Sequence, residues 1–226
     1  NLPGSEDDHP LFARIASEWV GEPYEVRRVG VALDVALIHI ASMSNLFAAL
    51  GWALIDLLAH PGEQSRVVAG DRARLEQCML ESIRLAQRSI MARYVLAPVR
   101  LEVGTTTHAV SPGATIATLL PLTNTSAAPG LDEWNPDRWN HRRLADVAAL
   151  PTPHLVTAFG HGRHTCPAQP FSLAAMTSAV TRLLDAFELD PAWVDGPLPV
   201  PVQIGGVARA AGSCPVSYSR HREVSR

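Results

Sequence analysis

Phe159, Gly160, Gly162, His164, Cys166, Pro167 and Ala168 fall within ten consecutive residues, and a helical apolar run follows them. These types in this order suit one chemistry: a single thiolate presented to a haem iron. Phe159, seven residues before the cysteine, can pack beside the sulfur. Gly160 and Gly162 permit backbone angles that other residues resist, so the loop can fold tightly under a flat ring. Backbone N–H groups turned toward the sulfur would temper its electron donation, and His164 has the reach to meet a propionate. Cys78 and Cys214 stand in no such surroundings and read as ordinary cysteines that fill space.

The stretch resembles the haem-binding loop of the cytochrome P450 family, Phe-x-x-Gly-x-x-x-Cys-x-(Gly or Ala). Two upstream segments resemble further signatures of that family, in the family's order. Glu81-Ser82-Ile83-Arg84 places an acid and a base on one helical face, as in its Glu-x-x-Arg motif. Trp134-Asn135-Pro136-Asp137-Arg138-Trp139 is similar to its aromatic-x-Pro-x-Arg-aromatic segment. In the family the acid and both arginines form one buried network. Such a network needs every partner present, because losing one strands a charge in low dielectric.

The resemblance implies a cofactor, haem b (iron protoporphyrin IX), with Cys166 as the metal ligand. His164 and Arg93 would hold its propionates, since guanidinium–carboxylate contacts suit that job. The distal side departs from the pattern. Where family oxygenases carry Ala/Gly-Gly-x-(Asp/Glu)-Thr, this chain reads Ala41-Ser42-Met43-Ser44-Asn45. Ser44 stands for the acid and Asn45 for the threonine, and an amide does not shuttle a proton as a hydroxyl does. An asparagine here resembles the branch that holds prostacyclin synthase, sterol hydroxylases and allene oxide synthase. Two reactions therefore stay open. One is hydroxylation of a small or medium apolar molecule with dioxygen and electrons from a ferredoxin or flavin reductase. The other is an isomerase or dehydratase reaction on a peroxide, which needs no electron donor. A truncated, non-enzymatic haem-binding protein is a third reading. Arg88, Arg163, Arg142 and Arg143 are candidates for a basic face toward an acidic electron donor, although scattered surface arginines explain any one of them.

The elements that must position these residues are mostly helical. A short helix over 11–20 is followed by a turn at Gly21-Glu22-Pro23 and a long helix from Tyr24 or Val26 to His60, stopped by Pro61-Gly62. From Val35 to Ile55 there is no formal charge, about the length of a bilayer span. His39, Ser42, Ser44 and Asn45 interrupt its middle and no basic cluster flanks it, so a buried central helix is expected and not a transmembrane segment. Leu75, Met79, Ile83 and Ala86 recur at helical spacing within 72–89. Short strands are expected over 99–103 and 115–120, an irregular meander over 123–153, a helix over 171–187, and strand-like pieces near 202–204 and 207–208. Pro170 places the regular start of the last helix near itself. The fold class is mainly α with minor β, the C-terminal part of the cytochrome P450 fold: long central helix, Glu-x-x-Arg helix, meander, cysteine loop, final helix and small sheets.

Composition narrows the rest. The 226 residues are 47% hydrophobic and 18% charged with a formal charge of −3, which gives no electrostatic reason to expect nucleic acid. Three widely spaced cysteines suggest neither a disulfide framework nor a zinc site, and a cytoplasmic location is the simplest. Residues 1–226 are expected to form the C-terminal haem-binding portion of a single domain whose N-terminal half is absent. That half would be a separate chain, or the rest of a longer one, or lost. Without it an apolar helix face stays uncovered, the kind of patch that marks a partner surface.

Overall fold

The long apolar helix is present over Tyr24–Ala59 (α2), preceded by α1 (Pro10–Glu18) and followed by α3 (Pro61–Val68) and α4 (Arg72–Ala86). The computed structural model describes residues 9–145, 148 and 150–221. The chain divides into two compact units, 1–47 and 48–226, and α2 contributes to both. In the first unit Gly30 leaves room for the Trp19 ring, since a Cβ there would lie 2.3 Å from it, and Trp19 Nε1 donates to Asp34 Oδ2 at 2.8 Å.

Expectation and structure part along α2. Over 48–59 the helix is a core element, with Ala53, Leu57 and Leu58 at 4% exposure or less. Over 24–47 it is not buried: Leu33, Leu37 and Ile40 are 64–66% exposed. Length and hydropathy alone would let the helix cross a membrane. The uniform apolar pattern carries no mark of where burial stops, which is why periodicity missed the change.

The second unit is built around α4, a helix capped by Asp71, whose Oδ1 accepts from Arg74 N at 2.9 Å. Leu75, Cys78, Met79, Leu80 and Ile83 are all 2% exposed or less. α4 packs against α3 and against α6 (Gln169–Ala186), whose Leu173, Met176, Val180 and Leu184 form one buried stripe. Each such side chain contributes roughly 1.5–3 kcal/mol before ordering costs. Proline at the first turn of α6 costs no intrahelical bond, as expected from Pro170.

Among the described residues, four two-stranded antiparallel sheets accompany these helices. β1 (Ile90–Tyr94) pairs with β4 (Thr115–Leu119), with Arg93 opposite Ile116. β2 (Val99–Val103) and β3 (Thr106–Val110) form a hairpin around Gly104, which takes φ +60° in the tight turn. β5 (Trp139–Asn140) pairs with β6 (Arg143–Leu144), and β7 (Phe187–Pro191) with β8 (Val216–Arg220). The expected strand at 202–204 is absent. Val207 makes only an isolated bridge to Gln87, and the tail's real strand lies at β8. Three residues of alternation are too few to specify a ladder. α3 and α5 (Leu120–Ser126) went unexpected, the first hidden behind the Pro61-Gly62 breaker and the second within the meander.

Candidate functional site

Cys166 ends a loop whose shape is fixed by its own backbone. Its N–H donates to the Phe159 carbonyl at 2.7 Å, and a short 3-10 turn over Gly162–His164 closes the space between them. Gly160 sits at φ +82°, where a Cβ would lie 2.8 Å from the His164 carbonyl oxygen, and Gly162 sits at φ +61°. Both positions therefore need glycine. Pro167 and Ala168 lead into α6, and Gln169 N–H donates to the Cys166 carbonyl at 3.2 Å. The loop thus brings Phe159, Gly160, Gly162, His164, Cys166, Pro167 and Ala168 into one tight turn at the start of a helix. Cys166 is half-buried, whereas the Cys78 thiol is buried and pushed up to about 12 by that burial, which keeps it protonated. His161 touches Val156 O through Nε2 at 3.1 Å, and burial holds its pKa below the ordinary value.

Glu81, Arg84 and Arg138 form one network. Arg84 donates bidentately to Glu81, Nε to Oε2 at 2.8 Å and Nη2 to Oε1 at 2.7 Å, with both side chains fully buried. Arg138 Nε reaches Glu81 Oε1 at 3.2 Å, its side chain 20% exposed. Trp139 Nε1 (2.9 Å) and Asn135 N–H (3.0 Å) donate to the same carboxylate. Arg84 also donates to the carbonyls of Leu131 at 2.7 Å and Asn124, so the guanidinium ties α4 to the meander.

Several contributors gave no local sequence signal. Buried Arg74 bridges Glu63 (2.5 Å) and Asp137 (2.6 Å), and this holds the Glu63 carboxyl below its usual range. Fully buried Asn124 joins Arg84 to Thr157. An asparagine within a polar short helix looks like any turn residue. Its spacing to Arg84 and Thr157 is meaningless until the chain folds.

Beside the network, Asp56 accepts from the Ser82 hydroxyl, which also accepts from Trp134 Nε1 at 3.1 Å. His60 stacks on Trp134 with ring centroids 4.1 Å apart. Burial raises the Asp56 pKa from 3.8 to about 6, with the Glu81 charge adding to the rise and Ser82 and His60 opposing it. The folded state therefore binds this proton more tightly than the unfolded state does. The group imposes no penalty below about 3.8, and the penalty grows to its full value as pH rises to about 6. We expect Asp56→Asn to stabilise the chain at neutral pH by up to about 3 kcal/mol, with the gain vanishing in mild acid. Urea unfolding of both forms across that range checks it. A gain that stays constant with pH would show that Asp56 does not titrate there.

The remaining expected site residues lie apart from the loop in sequence. Arg93, exposed on β1, donates to the Ala92 carbonyl at 2.9 Å. Ala41, Ser44 and Asn45 lie on the part of α2 that belongs to the first unit, where Asn45 Nδ2 donates to the Ala41 carbonyl at 3.0 Å. Of the arginines considered for a basic face, Arg88 is half-buried and donates to the carbonyls of Leu85 and Gln87, so it is withdrawn from such a face. Arg142 is paired with Glu76 at 3.0 Å, while Arg163 is exposed. Among the described residues no group of three or more His, Cys, Asp or Glu is gathered to hold a bare metal ion.

No family model matches the chain. Curated relatives do. Human 24-hydroxycholesterol 7-alpha-hydroxylase is 25% identical over 206 residues, covering 80% of this chain and 42% of its own length. Cytochrome P450 monooxygenase AN1598 of Emericella nidulans is 25% identical over 196 residues, covering 76% of this chain and 36% of its own length. Solved structures share the fold. A mutant cytochrome P450DA heme domain superposes with a TM-score of 0.69 at 20% identity over 85% of this chain and 44% of that one. The chain therefore resembles cytochrome P450 proteins in sequence and shares part of their fold. CYP175A1 from Thermus thermophilus gives a TM-score of 0.65 at 22% identity, over 94% of this chain and 52% of that one. The chain spans less than half the length of the curated relatives it matches.

The residues fit the cofactor that the family implies. One sulfur stands at the head of a helix, on a loop turned tightly by two glycines at positive φ.

Proposed function

We propose that this chain is the C-terminal, haem-binding portion of a single cytochrome P450-type domain acting as a monooxygenase. In this reading it hydroxylates an apolar molecule of small or medium size, with dioxygen and with electrons from a ferredoxin or flavin reductase. The observation that carries the reading is the Cys166 loop, pinned by its backbone at the head of α6 and tied through Thr157 and Asn124 to Arg84 of the charged network. The names of two relatives, a hydroxylase and a monooxygenase, favour hydroxylation over rearrangement, and the first makes a sterol-sized substrate the one to try first. Residues outside this chain, on the same polypeptide or a second one, would complete the substrate pocket.

Haem b, when bound, supplies the dioxygen and electron chemistry. The chain supplies the setting. Cys166 Sγ would be the residue that holds the haem iron, presented by the loop at the head of α6. His164 and Arg93 offer polar donors for the propionates, and among the described residues neither forms an ion pair that would compete. Ser44 and Asn45 would stand, by sequence resemblance, where family oxygenases carry the acid and the threonine. The Asn45 amide orients hydrogen bonds but does not relay a proton as a threonine hydroxyl does.

That amide is the observation favouring a second reading, an isomerase or dehydratase of a peroxide. Reductant separates the two. For the monooxygenase, turnover requires an electron donor, and Asn45→Thr leaves it intact or changes it modestly. Product formed from a hydroperoxide with no reductant overturns the first reading in favour of the second.

A further inference from the structure

The cysteine loop is fastened to the rest of the chain at one short segment, Val156-Thr157-Ala158, whose residues are 1–4% exposed. Asn124 pairs with the backbone of Thr157 in both directions. Its Oδ1 accepts from Thr157 N–H at 2.8 Å, and its Nδ2 donates to the Thr157 carbonyl at 2.8 Å. The same Nδ2 donates to the Arg84 carbonyl at 2.9 Å, and Arg84 in turn grips Glu81. From the other side Gln87 Nε2 donates to the Ala158 carbonyl at 3.1 Å. The segment is therefore held from α5 and from the end of α4.

Thr157 then passes this anchorage into the loop. Its Oγ1 accepts from Gly160 N–H at 2.7 Å. Gly160 is the residue whose missing Cβ lets the His164 carbonyl approach, and its neighbour Phe159 accepts from Cys166 N–H at 2.7 Å. Glu81, Arg84, Asn124, Thr157 and Gly160 thus form one continuous chain of hydrogen bonds that ends beside the cysteine. All but the last are fully or nearly fully buried.

We infer that Asn124 and Thr157 are positioning residues for Cys166, with the Thr157 hydroxyl fixing the Gly160 peptide and thereby the direction of the sulfur. In the haem-loaded state this deepens the function proposed above and rests on it. The geometric claim about the loop does not, because every bond named lies within the chain itself.

Thr157→Val keeps the shape of the side chain and removes only the acceptor for Gly160 N–H. Iodoacetamide modification of Cys166 in the full chain, followed by mass spectrometry, should then run about tenfold faster than in the wild type, the factor for one lost hydrogen bond. Thr157→Ser should restore the wild-type rate. Asn124→Asp turns a donor facing two carbonyls into an acceptor and should raise the rate further. If that variant does not fold, Thr157→Val still decides. In the haem-loaded chain, the fraction with a thiolate-type carbon-monoxide spectrum should fall in Thr157→Val and recover in Thr157→Ser. An unchanged modification rate in Thr157→Val overturns the inference. So does a Thr157→Ser variant that behaves like Thr157→Val, which would show that the methyl and not the hydroxyl matters. A wild type lacking the thiolate spectrum would sink the proposed function, while the modification rates would still decide the positioning role.

Discussion

Cys166→Ser is expected to abolish the thiolate-type Soret shift of the reduced, carbon-monoxide-bound chain while leaving the fold intact. A serine hydroxyl does not ionise near neutral pH and is a poor donor to iron, so the signature depends on sulfur alone. The loop should survive, because its fastening at this residue is the backbone N–H to Phe159 and uses no atom of the side chain. The thermal midpoint of the unloaded chain should therefore move little while the spectral signature disappears completely. The pair of measurements separates a lost ligand from a lost fold. A shift that persists in Cys166→Ser would mean that another group holds the iron, with half-buried Cys214 the first to examine.

The second large effect is expected at the charged network. Glu81→Gln removes the charge that faces both guanidinium groups and leaves fully buried Arg84 without its counter-ion. Breaking a buried pair in this way costs about 3–5 kcal/mol. Arg138→Ala should fall at the lower end of that range, since Arg138 keeps 20% of its side chain in solvent and Arg84 still neutralises the acid. Denaturant unfolding of the two single variants and the double variant should give a sum well short of additive, because both changes disrupt one network. Additive effects, or an Arg138→Ala variant as stable as wild type, would reduce the network to separate surface charges.

How far the sequence was readable follows from the range of the interactions. Positions fixed by chain neighbours were legible: the helical spacing of Leu75, Met79, Ile83 and Ala86, the stop before Pro61, the glycines of the cysteine loop. The network partner Arg138 was legible only through a family pattern, since nothing local distinguishes it from Arg142, which pairs with Glu76 near the surface. Arg74, Asn124 and Thr157 were not legible at all, because their partners lie far off along the chain and each residue type is commonplace where it stands. The same holds for β8, which exists only because Val216–Arg220 finds β7 after the chain has folded back. The exposed stretch of α2 was misread for a different reason. Apolar composition reports that a surface needs covering, not which part of the chain covers it.

The fastening of the cysteine loop also orders events in time. Arg84, Asn124 and Thr157 must meet before Gly160 can be held, and these contacts join residues 33 and 40 positions apart. Gln87 reaches Ala158 across 71 positions, and Trp52 Nε1 reaches the Ala208 carbonyl across 156. Closing such long loops is entropically costly and slow compared with forming α4 or α6, whose bonds are local. The helices that flank the cysteine are therefore ready before the turn that aims it. The sulfur acquires its final direction only once contacts spanning 33 to 71 residues have closed, later than the local helices around it.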